Sequence, residues 1–594
     1  MNPAADTPAG GPASPGGAAH APSSTGDGSA AEGRWAFGRW SLEVRGDELA
    51  DVRCDGRVVL RAIRAVARDE DWATAWPRGA TTRTEPDTLE LHLRIADLGL
   101  DLAGTVHVAA DGDRLVVDLD LEALTDSPTN RIGLVVLHPP QLAGTPLQVT
   151  HSEGAVEELS FPVQVSPHQP AKDIAGLAWE ADRVSLRLDL AGDVFEMEDQ
   201  RNWTDASFKT YSRPLDLPFP YTVSAGEHVR QQLVLTAVPS TDEAGAAPSG
   251  AGSTLTPSAD GSPTARAGAP EELIWQSGGT VPAIGTGHLD LELADPDWSQ
   301  RLDAALSARR SGDGAASSGG AAPSDTSLAL WVVSSSPADP VVLAELGRRL
   351  AAAVRDGASF RFLGIADAAR HVTTPDLAAA LREVAPEGVP VVAGSRSHFT
   401  ELNREWETVL AGEPEMLAFA TTPLFHTLET EQLIEAVAMQ RLLAEQLTAR
   451  VPGLPVHVGP ITLRPRFANV ATRPQPVPAP VPPADPRAGT ALHETWTVAS
   501  AAALAVPGIT SLTYEQVPEP LARLGGAASG APTSAREDTL VTGHSVDGLV
   551  RAIGDGDALL LANLSTCPRR VQLPGRSTPL DLDPVSWSDL PARS

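Results

Sequence analysis

From Trp35 to about Ala237 apolar and polar residues alternate at every second position, as in SLEVRG, LELHLRIADL, RLVVDLDLEAL, RVSLRLDLAG and HVRQQLVLTAV, with turn residues between the runs. Successive side chains of a strand point to opposite faces, so a period of two marks half-buried strands. So many runs in series predict an antiparallel β-sandwich over residues 35–238. Beyond Glu272 the period changes. Eight short apolar runs, VPAIG, HLDLEL, SLALWVV, FRFLGIA, VPVVAG, MLAFATT, VHVGPIT and ITSLTYE, alternate with amphipathic stretches such as VVLAELGRRLAAAVRDG and EQLIEAVAMQRLLAEQLTAR. That rhythm predicts a (β/α)8 TIM-like barrel over 272–525. The first two runs are separated by almost nothing, so either the first crossover helix is missing or the first run is not a barrel strand. A small C-terminal β-sandwich is expected over 526–594, carried by ALLLANLS and RRVQLPG.

Composition adds what the pattern leaves blank. Residues 1–34 and 239–271 are rich in Ala, Gly, Pro and Ser with few bulky side chains, which predicts a disordered tail and a flexible linker. Similar low-complexity insertions fall at Ser311 to Ser327 and around Pro474 to Pro486. The formal net charge of −31 would repel a phosphate backbone or an anionic bilayer, so neither nucleic acid nor membrane is an expected partner. No signal sequence and no long apolar run is present, and Cys54 and Cys567 are too far apart in the chain to suggest a framework, which predicts a cytoplasmic protein. No cofactor and no metal are expected, because HExxH, P-loop, dinucleotide and GxSxG patterns are absent from credible contexts. Nothing in the sequence sets the oligomeric state.

Of the 45 basic residues only Lys172 and Lys209 are lysine. A lysine retained under such a bias is a candidate for work that arginine cannot do. Lys209 lies in a window, Phe195 to Tyr221, that also holds two of the three tyrosines together with Glu196, Glu198, Asp199, Arg201, Asn202, Trp203 and Asp205. These groups can bind hydroxyls and carboxylates beside an aromatic face. The same window also fits a solvated hairpin edge with two core aromatics.

Three stretches, GLVVLHPPQLAG, THSEGAVEELSFPVQVSPHQPAKDI and FEMEDQRNWTDASFKTYSRPLDLPFPY, closely resemble the N-terminal region of the D-apionate lactonase family. The resemblance continues with less fidelity through GSRSHFTELNR, TTPLFHTLETEQLIEA, VHVGPITLRPRFA and SLTYE. It implies a β domain, a barrel and a C-terminal β domain, and hydrolysis of D-apionolactone to D-apionate. The family pattern reads GTDAYFAELNR and RFNP where this chain has GSRSHFTELNR and RFAN, so Arg396 stands where the family has Asp.

Lactone hydrolysis needs a base for water, donors facing the oxyanion and an acid for the departing alkoxide. The expected pocket is at the barrel mouth, with the β-domain segment reaching over it or forming a site of its own. Glu401, His426 and Glu515 each fall just past a barrel run, and Glu401 or Glu515 is the expected general base. Asp205 and Lys209 would position or polarise the lactone, and Glu198, Asn202, Trp203, Asn403, Arg404 and Arg464 complete the expected binding set. Arg466 is a similar clamp. His138, His151 and His168 could share a face, and Trp406 and Trp496 join Trp203 as aromatics that stack on a sugar or fill a core. Two rival readings remain: a glycoside hydrolase using Glu401 and Glu515 as paired carboxylates, and a non-catalytic carbohydrate-binding protein.

Overall fold

In the strand Thr88–Asp97 the side chains of Leu89, Leu91, Leu93 and Ile95 are buried while their neighbours face outward, so alternation in the sequence becomes alternation of burial. The same happens in Arg114–Ala123, Val184–Ala191 and His228–Pro239. Sixteen such strands form one continuous antiparallel sheet. Its apolar faces meet in one core that runs from Trp35 and Trp40 through Leu119 to Phe208 and Leu235, so the sheet folds back on itself. The computed structural model describes residues 32–181, 183–239, 270–311, 327–471, 473, 475–480, 482–524 and 540–591. The expected tail, the linker and the Ser311 to Ser327 insertion lie almost wholly outside the described residues, although a strand already begins at Glu32.

All eight apolar runs of the second half are strands of one parallel sheet. They are β1 (Ala283–Thr286), β2 (His288–Glu292), β3 (Leu328–Ser334), β4 (Phe360–Asp367), β5 (Val391–Gly394), β6 (Leu417–Thr421), β7 (Val456–Ile461) and β8 (Ile509–Tyr514). From β2 to β8 each pairs with its neighbour, and β8 pairs with β1. β1 and β2 are not paired to each other; the one residue between them, Gly287, closes the ring through the covalent chain. Both alternatives left by the sequence therefore resolve: the first run is a barrel strand and no helix follows it. Gly287 has φ +111, and a Cβ there would meet the Arg309 guanidinium at 1.8 Å, so glycine is required at the bend.

The strands Glu271–Glu272 and Ile274–Ser277 precede the barrel but pair with Arg569–Gln572 and Val541–His544, so the C-terminal sheets borrow the chain on its way into β1. These sheets pack on the helix Ala491–Leu504, burying Ile553, Leu560 and Ala562 against its apolar face. Among the described residues no helix is long and apolar enough to cross a membrane.

Candidate active site

The window around Lys209 is neither an edge nor solvated. Its strands Phe195–Asp199 and Phe208–Ser212 lie inside the sheet, flanked by Ala171–Ala181 and Arg131–His138, and every residue from Gln200 to Ser212 is buried. A tight turn, Gln200–Trp203, joins them. Asp199 caps it by accepting from the Arg201 backbone N–H at 3.3 Å and also holds the Arg201 guanidinium at 2.7 Å. Thr204 closes the turn at φ +67. Cross-strand pairing sets Glu198 opposite Lys209 and Glu196 opposite Tyr211. Lys209 Nζ is ion-paired with Glu198, and Tyr211 donates to Glu196 at 2.5 Å.

The far side of this turn docks on the barrel. Asn403 donates to Asn202 Oδ1 at 3.0 Å, while the Asn202 amide donates to the carbonyls of Ser166 and Asp199. Trp203 is stacked on Phe425, with ring centroids 5.9 Å apart, and carries the Arg404 guanidinium at 5.2 Å. Asp205 Oδ2 lies 2.9 Å from His426 Nδ1, across 221 residues of chain. These bonds make a wall shared by both domains.

Behind that wall lies a narrow cavity lined by Arg61, Arg64, Arg68, Arg131, Lys209, Asp205 and His426 among others. Arg61 is paired with Glu48 and Glu435, Arg64 with Asp47, and Lys209 with Glu198. Arg68 and Arg131 have no carboxylate at ion-pair distance among the described residues; Arg68 donates to the Trp72 carbonyl, and Arg131 lies 3.9 Å over the Tyr211 ring with a buried Nε that has no acceptor. Buried guanidiniums without a counter-charge cost several kcal/mol.

Burial and these charges shift every ionisable group in the wall. Burial, then Arg131, pushes the Arg68 guanidinium down to about 10. Burial would raise Glu198, but Lys209 and His426 outweigh it and bring its carboxyl down to about 2. Asp205 is raised well above the usual carboxylate range by burial, against the pull of Lys209. His426 is held well below its ordinary value by burial and by the nearby Lys209 and Arg68 cations. Burial and those cations therefore favour the neutral imidazole of His426, and Asp205 Oδ2 engages its Nδ1.

A second polar group occupies the barrel mouth. Arg466 binds Asp290 at 2.9 Å and donates to the Arg396 carbonyl at 2.6 Å, while Arg396 donates to His371 at 3.3 Å and lies 4.2 Å over Phe467. Burial would raise Asp290, but Arg466 and His288 hold it well below the usual range. Glu401 accepts from Asn469 at 2.8 Å, and burial pushes its carboxyl up to about 7. His398 connects the two regions: it packs on Phe425, and burial with Arg466, His426 and His371 holds it at about 3.

The expected site residues thus divide. Lys209, Glu198, Asp205 and His426 come together around one cavity. Asn202, Asn403, Trp203 and Arg404 form the latch beside it, with Trp203 covered by Phe425 and Arg404. Arg464 is bound to Asp485 at 2.8 Å, and Glu515 is exposed at the end of β8. His138 is buried against Trp179 and bonded to Thr210, whereas His168 is exposed. Trp496 is core, donating to the Leu433 carbonyl at 2.9 Å, and Trp406 is buried under Arg450. Among the described residues no group of three or more His, Cys, Asp or Glu could hold a metal ion. Sequence reasoning missed Arg68 and Arg131. The signal for Arg68 was present in RVVLRAIRAVAR, where Arg64 and Arg68 share a strand face, but arginines on a strand face ordinarily mean solvent; Arg131, at the head of RIGLVVLH, gave none.

Comparison with known proteins gives two matches along the chain. Residues 22–240 match the family model described as D-apionate lactonase, N-terminal domain, and residues 364–553 match D-apionate lactonase, TIM barrel domain. Over 203 residues the chain is 36% identical to a D-apionate lactonase of Brucella anthropi, covering 33% of each protein. The aligned part is thus about a third of that curated relative. Among solved structures, a galactose mutarotase-like protein of Lactobacillus casei matches at TM-score 0.26 and 10% identity, over 35% of this chain and all 100% of that one. An α-galactosidase of Geobacillus stearothermophilus matches at TM-score 0.19 and 10% identity, over 90% of this chain and 87% of that one. Scores this low carry no argument about fold or activity.

Proposed function

Since the chain belongs to the D-apionate lactonase family, we propose that it hydrolyses a sugar-acid lactone of the D-apionolactone kind to the free aldonate, in the cavity between the β domain and the barrel. The observation that carries this reading is the Asp205–His426 pair, 2.9 Å apart, in the wall of a cavity holding two guanidiniums without carboxylate partners. A neutral imidazole is a base for water near neutral pH, and a lactone carbonyl generates a negative oxygen when water adds.

His426 Nε2 takes a proton from water as the water oxygen attacks the lactone carbonyl carbon. Asp205 keeps the imidazole in orientation through Nδ1. The oxyanion develops toward Lys209, Arg68 and Arg131. On collapse, the bond from the carbonyl carbon to the ring oxygen breaks, and the imidazolium returns its proton to the departing alkoxide. The product is an open-chain carboxylic acid, which gives its proton to solvent, and the same guanidiniums receive the resulting carboxylate. This reading places the base at His426 and not at Glu401 or Glu515, because neither glutamate lines the cavity.

The test is a screen of five- and six-carbon aldonolactones by acid release, with aryl glycosides in parallel. Lactone turnover is expected, falling about a thousandfold in His426→Asn. Glycoside turnover without lactone turnover, or a His426→Asn enzyme of undiminished rate, would sink the reading.

A further inference from the structure

Arg68 ends the strand Arg57–Arg68, Arg131 begins the strand Arg131–His138, and the antiparallel register sets the two directly opposite each other at the cavity. Like charges opposed across paired strands repel. No carboxylate lies at ion-pair distance of either among the described residues, so something else holds them in place.

Both are held by one residue. After Arg68 the chain makes a loop, residues 69–76, before the strand Pro77–Thr84 begins. Arg68 donates to the Trp72 carbonyl at 3.0 Å, and the Arg131 guanidinium lies 5.1 Å from the centroid of the Trp72 ring. Trp72 stands at φ +68, a conformation that a bulky side chain disfavours, so its surroundings must impose it. They do so through Asp69. Its carboxylate accepts from the N–H groups of Asp71 and Ala73 at 2.9 and 2.8 Å, and the Trp72 N–H donates to the Asp69 carbonyl at 3.2 Å. Asn130 donates to the Glu70 carbonyl at 2.9 Å, which ties the turn to the residue beside Arg131. Phe219 meets the indole edge-on, with centroids 5.1 Å apart.

These contacts steady the guanidiniums without neutralising them. A cation on an aromatic face keeps its charge, as does one that donates to a backbone carbonyl, whereas a carboxylate partner would cancel it. Trp72 itself lies outside the cavity lining, although Thr74, Ala75 and Trp76 of the same loop belong to it. We propose that Trp72 is a positioning residue of the cavity, fixing Arg68 through its carbonyl and Arg131 through its ring so that the two guanidiniums receive a carboxylate together. The proposal rests on the hydrolytic reading for the identity of that ligand, an aldonate, and for nothing else.

The test uses the full chain and titration calorimetry, with D-erythronate as a small aldonate and erythritol as its counterpart without a carboxylate. Glycine accepts φ +68 readily, so Trp72→Gly keeps the carbonyl for Arg68 and removes only the ring over Arg131. Erythronate affinity should fall about tenfold in Trp72→Gly and stay within about threefold of the unaltered protein in Trp72→Phe, which retains an aromatic face. In an Arg131→Met background, Trp72→Gly should cost less than about twofold more, because the ring acts through that guanidinium. The proposal is overturned if the two losses simply add, or if Trp72→Gly binds erythronate as tightly as the unaltered protein. A parallel loss of erythritol binding in Trp72→Gly also overturns it, since the indole would then touch the hydroxylated chain itself. So does an unaltered protein that fails to bind erythronate. Turnover enters none of these measurements, and the rate of His426→Asn on lactones decides the hydrolytic reading separately.

Discussion

The cavity between the domains and the barrel mouth lie on either side of His398, and they solve opposite electrostatic problems. In the cavity, Arg68 and Arg131 have no carboxylate at ion-pair distance among the described residues, although Glu198 and Asp205 act on Arg68 from farther away. In the mouth, Arg466 and Arg396 are matched by Asp290 and Glu292, and what is unanswered is hydrogen bonding. The difference teaches that burial can leave either need unmet: ion pairing for two guanidiniums in the one region and hydrogen bonding in the other.

The comparison breaks most severely at Lys209. Lys209→Met should cost about 3 kcal/mol in urea unfolding, because it strands Glu198 as a buried charge. The double variant Lys209→Met with Glu198→Gln should recover most of that loss. If the double variant is as unstable as the single, Glu198 is not charged in the fold.

Glu401 gives a test of the same order on the mouth side, through pH. Burial raises its carboxyl from 4.5 to about 7, so the fold favours the protonated form. Its contribution is fully present below about pH 4.5 and is lost as pH rises through 7, on the order of 3 kcal/mol at most. Glu401→Gln should remove that slope from a plot of unfolding free energy against pH between 4.5 and 7, and leave the rest of the curve unchanged.

Arg68→Met should move function and stability in different directions. Inhibition of the proposed lactone hydrolysis by aldonate should weaken about tenfold, while the melting temperature holds or rises, because an unpaired buried charge has been removed. A fall in melting temperature would mean that Arg68 is compensated in the free protein. The smallest effect belongs to Lys172→Gln. Lys172 forms an exposed pair with Asp216 at 2.8 Å, so its loss should change stability by less than about 0.5 kcal/mol in the same urea assay.

Those last contrasts show how far the sequence could be read. The rarity of lysine pointed equally at Lys172 and Lys209, yet one lies on the surface and the other in the wall of the cavity. Rarity reports that a residue type was retained; it carries no information on burial. The hairpin Phe195–Asp199 and Phe208–Ser212 was legible as a site because its polar residues crowd one short stretch. Arg68 and Arg131 were not, because each stands at the end of a largely apolar strand, where a lone arginine reads as a solvated strand end. The barrel covers that surface, with Arg61 reaching Glu435 and Arg64 reaching Thr427 across more than 360 residues of chain.

By itself, the sequence determined the β-sandwich, the eight barrel strands and the cluster around Lys209, because period, turn residues and residue type are local properties that act within a few positions. Only the tertiary structure decided that Gly287 closes the ring without a helix, that Asp205 meets His426, and that Arg68 and Arg131 face a cavity instead of water. Each of these depends on which surface another part of the chain covers. Burial, which sets both the charge state of His426 and the cost of an unpaired guanidinium, exists only once those surfaces have met.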